Sequence, residues 1–148
     1  MSSEEPQGAA QRPQIPQDMK AFNAKLIEDF RASGGKMSGQ MEGRQLLLLT
    51  TTGAKSFTPR TVVVGYRPYG ERYAVIASNN GAPSSPHWFA NLKANPVATL
   101  EVGPERFQAK ARVAEGAERA AVAKLIDYLE RQQALTGREI PIVVLERV

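Results

Sequence analysis

Residues 46–64 read LLLLTTTGAKSFTPRTVVV, and this stretch determines which kind of sheet the chain builds. Its apolar run 46–49 leads into a glycine-containing loop, which is typical of a short strand buried on both faces. The β-branched run 61–64 predicts a second strand that pairs with the first. The stretch is therefore a predicted hairpin whose loop carries a group of polar side chains.

The segments on either side of this hairpin contain more strands than helices. Apolar spacing predicts an amphipathic helix from Asp18 to Gly34-Gly35, after a flexible tail over residues 1–17 that is rich in proline and polar residues. Further strands are predicted at 72–77, 97–102, 106–113 and 140–145, a turn at 67–71, and helices at 87–94 and 117–133. Because successive strands mostly lack the crossover helices of a parallel sheet, we predict one α+β, mainly β domain over residues 18–148, a mostly antiparallel barrel with flanking helices.

The amino-acid composition limits the kinds of reaction and ligand that the chain can use. The 148 residues fit one domain, and the absence of cysteine excludes disulfides, thiolate metal ligands and a cysteine nucleophile. Any redox activity therefore depends on a bound cofactor. The net charge of +4 fits an anionic small molecule, an anionic lipid surface or nucleic acid. Arg106, Lys110 and Arg112 supply charge alone, without the exposed aromatic residues of a nucleic-acid surface, so no nucleic-acid partner is expected.

The sequence also bears on location. No stretch is long and apolar enough to cross a bilayer, and the N-terminal residues lack the order of a signal peptide, so a cytoplasmic location is expected. Lys20, Lys25 and Arg31 on the polar side of the helix over 19–31 leave open a peripheral contact with the inner face of the membrane. Packing of that helix on the core is the favoured alternative.

The loop of the hairpin is the most informative segment. It places two cations and two hydroxyls within six residues, Lys55, Ser56, Thr58 and Arg60. Gly53 and Pro59 shape the turn, so side chains and amides can converge on a phosphate. A strand follows where a P-loop would have a helix, which argues against nucleotide hydrolysis. The alternative is a solvated hairpin with exposed charges.

A second candidate segment is the loop 79–86, rich in Gly, Asn, Ser and Pro, and the short helix that it opens. Trp88 and Asn91 lie three residues apart and share a helix face, offering a flat apolar surface and an amide, although Trp88 fits the core equally well. His87 is the only histidine, which rules out a multi-histidine metal site. No paired acid and base stands out, so we expect neither a metal nor a catalytic side chain.

Taken together, these segments resemble the deazaflavin-dependent nitroreductase family, reductases that use the 8-hydroxy-5-deazaflavin coenzyme (coenzyme F-420) within the split β-barrel, FMN-binding-like group. The resemblance is carried by residues 47–56 with Pro59-Arg60, by Ala77-Ser78, Gly81, Pro86 and Trp88, by 91–96, and by 140–144. It implies a cofactor site formed by Thr50, Lys55, Ser56, Phe57, Thr58, Pro59, Arg60, Val62, Val63, Ala77, Ser78, Asn79, His87, Trp88 and Asn91.

Within that site the resemblance implies that Lys55 and Arg60 hold the cofactor phosphate with help from the amides of 56–59. It assigns Tyr128 to the substrate side. Family members often carry other residues at Ala54, Phe57 and Asn79, so phosphate affinity is expected to differ in this chain.

The function implied is hydride transfer from the reduced coenzyme to a small electron-poor acceptor such as a quinone, an enone or a nitro compound. The alternative is a carrier of FMN, haem or lipid with the same barrel, with FMN as the less favoured cofactor. Related barrels often pair, so a homodimer is a further expectation.

Overall fold

The computed structural model describes residues 19–39 and 42–148. The tail predicted at 1–17 and the helix cap predicted at Asp18 lie outside the described residues. No helix in the described part of the chain is long and apolar enough to cross a bilayer.

Seven strands and four helices make up the described part of the fold. The strands are β1 (Leu46–Thr52), β2 (Pro59–Gly65), β3 (Arg67–Tyr69), β4 (Arg72–Ile76), β5 (Val97–Val102), β6 (Glu105–Val113) and β7 (Ile142–Arg147). The helices are α1 (Met19–Ser33), α2 (His87–Ala94), α3 (Gly116–Ala123) and α4 (Leu129–Gln133), and a 3-10 turn spans Asn79–Gly81.

The strands form one sheet in the order β2-β1-β5-β6-β7-β4-β3, and every neighbouring pair is antiparallel. Its two edge strands, β2 and β3, follow one another in sequence with Tyr66 alone between them. A sheet whose edges are joined by one residue has to curl until those edges meet. The result is a curled half-barrel, which confirms the predicted fold class.

The apolar residues of each strand are divided between the two faces of this sheet. The inner face carries a core cluster from all the long strands and α2: Leu47, Leu49, Val75, Ala77, Trp88, Leu92, Ala98, Leu100, Ala109, Val143 and Leu145. A second cluster on the outer face joins β4 and β7 to α3 and α4, and includes Ala74, Val122, Ile126, Leu129 and Val144. Because both faces of β1 and β7 are covered, these strands read as continuous apolar runs rather than alternating ones.

Helix α1 packs on the outer face and is fastened there by an ion pair. The Arg31 guanidinium donates two hydrogen bonds, of 3.0 and 2.8 Å, to the carboxylate of Glu101 on β5. Glu101 is only 8% exposed, and its hydrogen bond with Arg31 lowers the pKa of its carboxyl despite the opposing effect of burial. Phe30, one residue before Arg31, is 1% exposed. The described helix therefore packs on the barrel through its C-terminal half.

Two predicted elements differ from the structure. The single helix predicted at 117–133 is wrong, since the chain forms α3 and α4 with a break over 124–128 where the backbone makes tighter turns, such as the 2.9 Å bond from the Leu125 amide to the Val122 carbonyl. Val122, Ile126 and Leu129 are all buried in the same outer cluster. A curved sheet requires this bend, because a straight helix would carry its last turn away from the surface. The turn predicted at 67–71 contains the short strand β3, which pairs with β4.

Candidate functional site

The pairing pattern leaves a split in the barrel. β2 pairs with β1 alone along Pro59–Gly65, and β3 pairs with β4 only as far as Ala74. Val75 and Ile76 of β4 therefore pair on one side, with β7, and have no strand on the other. Since β2 and β3 adjoin at Tyr66, the free edge of β2 and the free edge of β4 at Val75 and Ile76 are the two unpaired edges of the curled sheet, and they border the split. Unpaired backbone N–H and C=O groups line both sides of it.

The loop between β1 and β2 lies on the rim of this split and folds as one helix-like turn. The Phe57 amide donates to the Gly53 carbonyl at 2.9 Å, and the Gly53 amide donates to the Thr58 carbonyl at 2.8 Å. The Phe57 backbone has a φ of 59°, so a non-glycine residue adopts the left-handed region here. A single helical turn leaves its first amides without partners. Among the described residues the amides of Lys55 and Ser56 make no hydrogen bond, which leaves two donors for an anion.

The cations predicted for this loop are exposed, and the described part of the chain offers neither of them an ion pair. Lys55 and Arg60 flank the turn at its two ends. The hydroxyls of Ser56 and Thr58 bond to each other at 2.8 Å, with one proton left to donate outward. The amides of Phe57 and Thr58 are engaged within the loop and Pro59 has none, so the amides of the loop that make no hydrogen bond among the described residues are those of Lys55 and Ser56.

Asn91 holds the loop through both ends of its side-chain amide. Its Oδ1 accepts from the Ala54 amide at 3.0 Å, and its Nδ2 donates to Thr51 Oγ1 at 3.0 Å. Asn91 is 7% exposed and Thr51 is 2% exposed. A direct contact between the Asn91 amide and the cofactor stays a prediction, because Nδ2 and Oδ1 can each make one further hydrogen bond. The role of Asn91 within the fold is to attach α2 to β1 and to fix where the turn begins.

Trp88 and His87 are separated by the start of α2. Trp88 is 7% exposed and belongs to the inner core, with Phe89 edge-on at 6.4 Å between ring centroids, so it offers no flat open surface. The core alternative for this residue is the one that the structure supports. His87 is exposed and has no partner among the described residues.

The β2 side of the split carries Val62 and Val63, which are half-buried on opposite faces of the strand, so a ring in the gap can touch one side chain and the backbone edge. Thr50 lies beside them on β1, where its hydroxyl bonds to that of Thr61 at 2.8 Å.

The β4 side continues into the loop that follows the strand. Ala77 is buried, while Ser78 is half-buried and its hydroxyl has no partner in the described part of the chain. Asn79 begins the 3-10 turn with a φ of 50°, and its Nδ2 donates to the Ser84 carbonyl at 3.1 Å. Arg138 donates to the carbonyls of Ala77 and Ser78, a contact that the sequence did not predict.

Tyr128 lies at the end of the split near Gly65, which is its lower end. Its hydroxyl is 3.7 Å from the place that a Cβ atom would occupy if Gly65 carried a side chain. The Arg67 guanidinium stacks over its ring at 4.7 Å from the centroid. Both the Tyr128 hydroxyl and Gln132 Oε1, one turn further along the chain, are buried, and neither has a hydrogen-bond partner among the residues that the structure describes. Burial raises the pKa of the Tyr128 hydroxyl, with Arg67 opposing the shift, so the group stays protonated and can donate. Unpartnered buried polar atoms are costly, and in folded proteins they accompany strain, a catalytic role or a bound water or ion.

The described residues contain no cluster of three or more His, Cys, Asp or Glu that could hold a metal ion. The split instead combines an apolar gap between two backbone edges, an anion-binding turn on its rim, and an orphaned donor at its lower end. These features fit a phosphorylated planar ring and define a cofactor-binding split β-barrel of the flavin-binding kind.

Comparison with known proteins agrees with this class. The sequence pattern of the family described as F420H(2)-dependent quinone reductase matches residues 24–147. An F420H(2)-dependent quinone reductase of Mycobacterium tuberculosis is 36% identical over 126 residues, which are 80% of this chain and 85% of that protein. A solved F420-H2 dependent reductase (FDR-A) is 36% identical with a TM-score of 0.63, covering 70% of this chain and 95% of the other.

A second solved structure, described as a domain-swapped dimer, is 30% identical with a TM-score of 0.64 and covers 89% of this chain and 100% of the other. The chain belongs to the F420H(2)-dependent quinone reductase family. It is an F420H(2)-dependent oxidoreductase with coenzyme F-420 as its cofactor, which confirms the expected resemblance and the reductase hypothesis over the carrier hypothesis.

Proposed function

We propose that the chain binds coenzyme F-420 with its phosphate in the β1–β2 loop and its ring in the split, and reduces a quinone placed beside the ring. One observation carries this proposal: Lys55 and Arg60 are exposed cations without ion pairs among the described residues, and they flank the two open amides of 55–56 beside the free edge of β2. Enones and nitro compounds are further electron-poor acceptors of the same class.

Binding of the phosphate to the β1–β2 loop is proposed from the charge of the loop and from its preorganised shape. A phosphodiester accepts charge-assisted hydrogen bonds from lysine, arginine and amide donors at once. Asn91 and the internal bonds of the turn hold those amides in place before the ligand arrives. Little conformational freedom is then lost on binding, which favours affinity. Ser56 and Thr58 add one further hydroxyl donor.

The place of the deazaflavin ring is proposed from the free strand edges that border the split. A deazaflavin has amide-like donors and acceptors along one rim, and the backbone of β2 offers matching groups along Val62 and Val63. Ala77 and Ser78 border the opposite side, with the Ser78 hydroxyl available for a hydrogen bond. Phe57, Asn79 and His87 are exposed near the rim and remain predicted contacts of the more distant parts of the coenzyme.

The proposed place of the acceptor is inferred from two buried polar atoms without partners among the described residues. They are the Tyr128 hydroxyl, directly before α4, and Gln132 Oε1 within α4. When bound, the reduced deazaflavin supplies a hydride, so an oxygen of the accepting quinone gains negative charge. The Tyr128 hydroxyl is protonated, buried and without a partner, so it can donate to that oxygen and stabilise the charge as it develops. The other task of the chain is to hold donor and acceptor about 3–3.5 Å apart and to exclude water.

Two further expectations stay predictions. A homodimer is in keeping with the relative described as a domain-swapped dimer. A peripheral membrane contact through the helix over 19–31 would suit a lipid-soluble acceptor, and Phe22 on α1 is 37% exposed. Sedimentation and flotation with anionic vesicles test them separately. A cytoplasmic location likewise stays a prediction.

The deciding experiment compares ligands and then follows turnover. Fluorescence titration of the purified chain with coenzyme F-420, FMN and haem should show binding of the deazaflavin in preference to the other two. Oxidation of the reduced coenzyme by menadione should then require the protein. Binding without turnover would favour a carrier, and preferential binding of FMN or haem would overturn the choice of cofactor.

A further inference from the structure

Arg138, in the loop between α4 and β7, makes more hydrogen bonds to the loop over 77–85 than any other described side chain. Nη2 donates to the carbonyls of Ala77 at 3.1 Å, Ser78 at 2.8 Å and Ser84 at 3.1 Å. Nε donates to the Ala82 carbonyl at 3.0 Å, and Nη1 to Ser85 Oγ at 3.2 Å. The guanidinium thus gathers both ends and the middle of one loop around itself.

The loop also makes hydrogen bonds of its own. Its own backbone bonds include the two that close the 3-10 turn, from the Gly81 amide to Ser78 and from the Ala82 amide to Asn79, each at 3.0 Å. Asn79 and Gly81 both have a positive φ, of 50° and 77°. A chain bent in this way needs outside contacts to select one conformation, because such dihedrals are sparsely populated for a residue like asparagine. Arg138 supplies them.

The charge of Arg138 is not used in an ion pair with any carboxylate of the described residues. Carbonyl dipoles satisfy it instead. A planar fork with five N–H donors can serve several carbonyls at fixed angles, whereas the ammonium of a lysine is a single point. The arrangement therefore depends on the shape of the guanidinium as well as on its charge.

The arginine is in turn clamped to α4. The Gln133 side chain donates to the Arg138 carbonyl at 2.5 Å and accepts from the Ile140 amide at 3.0 Å. The loop over 77–85 also contacts the chain just after α4. A Cβ atom placed at Gly81 would lie only 2.5 Å from the Leu135 side chain, so the two segments are in close contact. Tyr128 directly precedes α4 as its N-cap residue.

We propose that Arg138 is a positioning residue: it fixes Ala77 and Ser78 at the wall of the split and sets the distance from that wall to α4. This inference rests on the proposed function, because the wall matters through the ring that it borders. The residue acts without touching the reacting atoms. Its loss should therefore change both how well the coenzyme binds and how well the acceptor is aligned once the coenzyme is bound.

The test uses Arg138→Lys, which keeps the charge but not the fork, and Arg138→Gln, which keeps neither. Arg119→Gln is the matched control, since Arg119 donates to the Ile140 carbonyl at 2.8 Å and lies 3.5 Å from Glu139 but does not reach the 77–85 loop. Three quantities are measured: the Kd for coenzyme F-420, kcat with menadione at saturating coenzyme, and hydrogen exchange of the amides over 78–85 in the coenzyme-free chain.

Both Arg138 variants should bind the coenzyme about ten-fold more weakly or worse, since several charge-assisted hydrogen bonds are lost. Their kcat should also fall at saturating coenzyme, and the 78–85 amides should exchange faster. Arg119→Gln should change none of the three by more than about two-fold. For Arg138→Ala, added methylguanidinium should restore part of the affinity, which a general loss of stability would not allow.

The outcomes separate the two proposals. A wild-type chain that does not bind the coenzyme overturns the proposed function and this inference together. Wild-type binding with unchanged Kd and kcat in both Arg138 variants overturns the inference alone. Equal losses in Arg138→Lys and Arg119→Gln would also overturn it, because they would show a general structural effect.

Discussion

The β1–β2 loop and the outer surface of β6 and β7 both gather cations, but they differ in how the charge is satisfied. The second surface contains an open depression of about 410 Å³ lined by Lys110, Ala111, Arg112, Glu146, Arg147 and Val148. Arg112 there bonds to Glu118 at 2.7 Å and Glu146 at 3.1 Å, and Arg147 bonds to Glu105 at 3.0 Å. In the loop, Lys55 and Arg60 have no such partners within the described residues.

This difference indicates what each surface is for. Charges neutralised by neighbouring carboxylates hold α3 and the strand ends together and leave little field for a ligand. Unpaired cations beside open amides raise the potential at one point and are costly unless something anionic binds there. The state of the charges therefore favours the loop over the depression on β6 and β7 as an anion site. The predictions below test this contrast.

The largest expected effect is on coenzyme affinity. Lys55→Ala or Arg60→Ala should each weaken binding by about 1.5–3 kcal/mol, roughly ten- to hundred-fold in Kd, because each removes a charged hydrogen-bond donor from the phosphate. Fluorescence titration measures the change. Lys110→Ala and Arg106→Ala remove exposed cations of the same kinds from β6 and should leave Kd unchanged. If the controls weaken binding as much, net charge rather than the loop attracts the coenzyme.

A second prediction concerns Asn91, which supports the β1–β2 loop, and it separates this support from the contacts that the loop makes with the coenzyme. Asn91→Ala should lower the free energy of unfolding by about 2 kcal/mol, because the buried Thr51 hydroxyl and the part-buried Ala54 amide each lose their hydrogen-bond partner. Coenzyme affinity should fall as well, since the turn is no longer fixed. Asn95→Ala is the control, because Asn95 is exposed and accepts only a 3.3 Å bond from the Val97 amide. Denaturant unfolding of both variants checks this, and equal stability would contradict the proposed support.

A third effect concerns a paired cation and its dependence on pH. The folded pKa of Glu101 lies below its ordinary value of 4.5, chiefly because of the hydrogen bond from Arg31. The stability that this pair contributes is therefore complete above pH 4.5 and is lost as the pH falls through the lower folded pKa. Half of the Arg31 side chain is exposed, so solvent limits the contribution to about 1 kcal/mol.

Glu101→Gln should remove this component of the acid dependence while leaving coenzyme affinity unchanged. Glu105→Gln, which removes an exposed pair with Arg147, is the control. Unfolding curves between pH 3 and pH 7 measure both. An unaltered acid dependence in Glu101→Gln would show that the buried pair contributes nothing.

The smallest effect is strain in the turn. Phe57 is 79% exposed and has a φ of 59°, so its ring contributes little packing while its backbone is disfavoured. Phe57→Gly should raise the free energy of unfolding by about 0.5 kcal/mol, the left-handed penalty being partly offset by the greater freedom of glycine in the unfolded chain. Gly53→Ala should do the opposite, because its Cβ would lie against Ser56. Thermal unfolding distinguishes them.

The fold was predictable where packing and sequence pattern agree. The run 46–49 predicted a strand buried on both faces because α1 and the inner core both cover β1, and the alternation over 106–113 predicted β6 because its outer face is largely exposed. The single helix at 117–133 was wrong, since helix propensity carries no information about the curvature of the sheet beneath it.

Within the site, the cations of the loop were predictable from spacing, but the roles of Asn91 and Arg138 were not. A buried asparagine that ties two elements has the same sequence signature as one that binds a ligand. An arginine in a short loop normally indicates a solvated charge. One feature of the sequence could have indicated the role of Arg138. The loop over 79–86, much earlier in the chain, has many backbone carbonyls outside regular secondary structure, and these need a donor with several N–H groups.

The most direct test of the central claim is a crystal structure of the chain with coenzyme F-420. The phosphate should lie within hydrogen-bond distance of Lys55, Arg60 and the amides over 55–56, with the ring along the free edge of β2. A phosphate bound elsewhere, with the loop open to solvent and the split empty, would contradict the account.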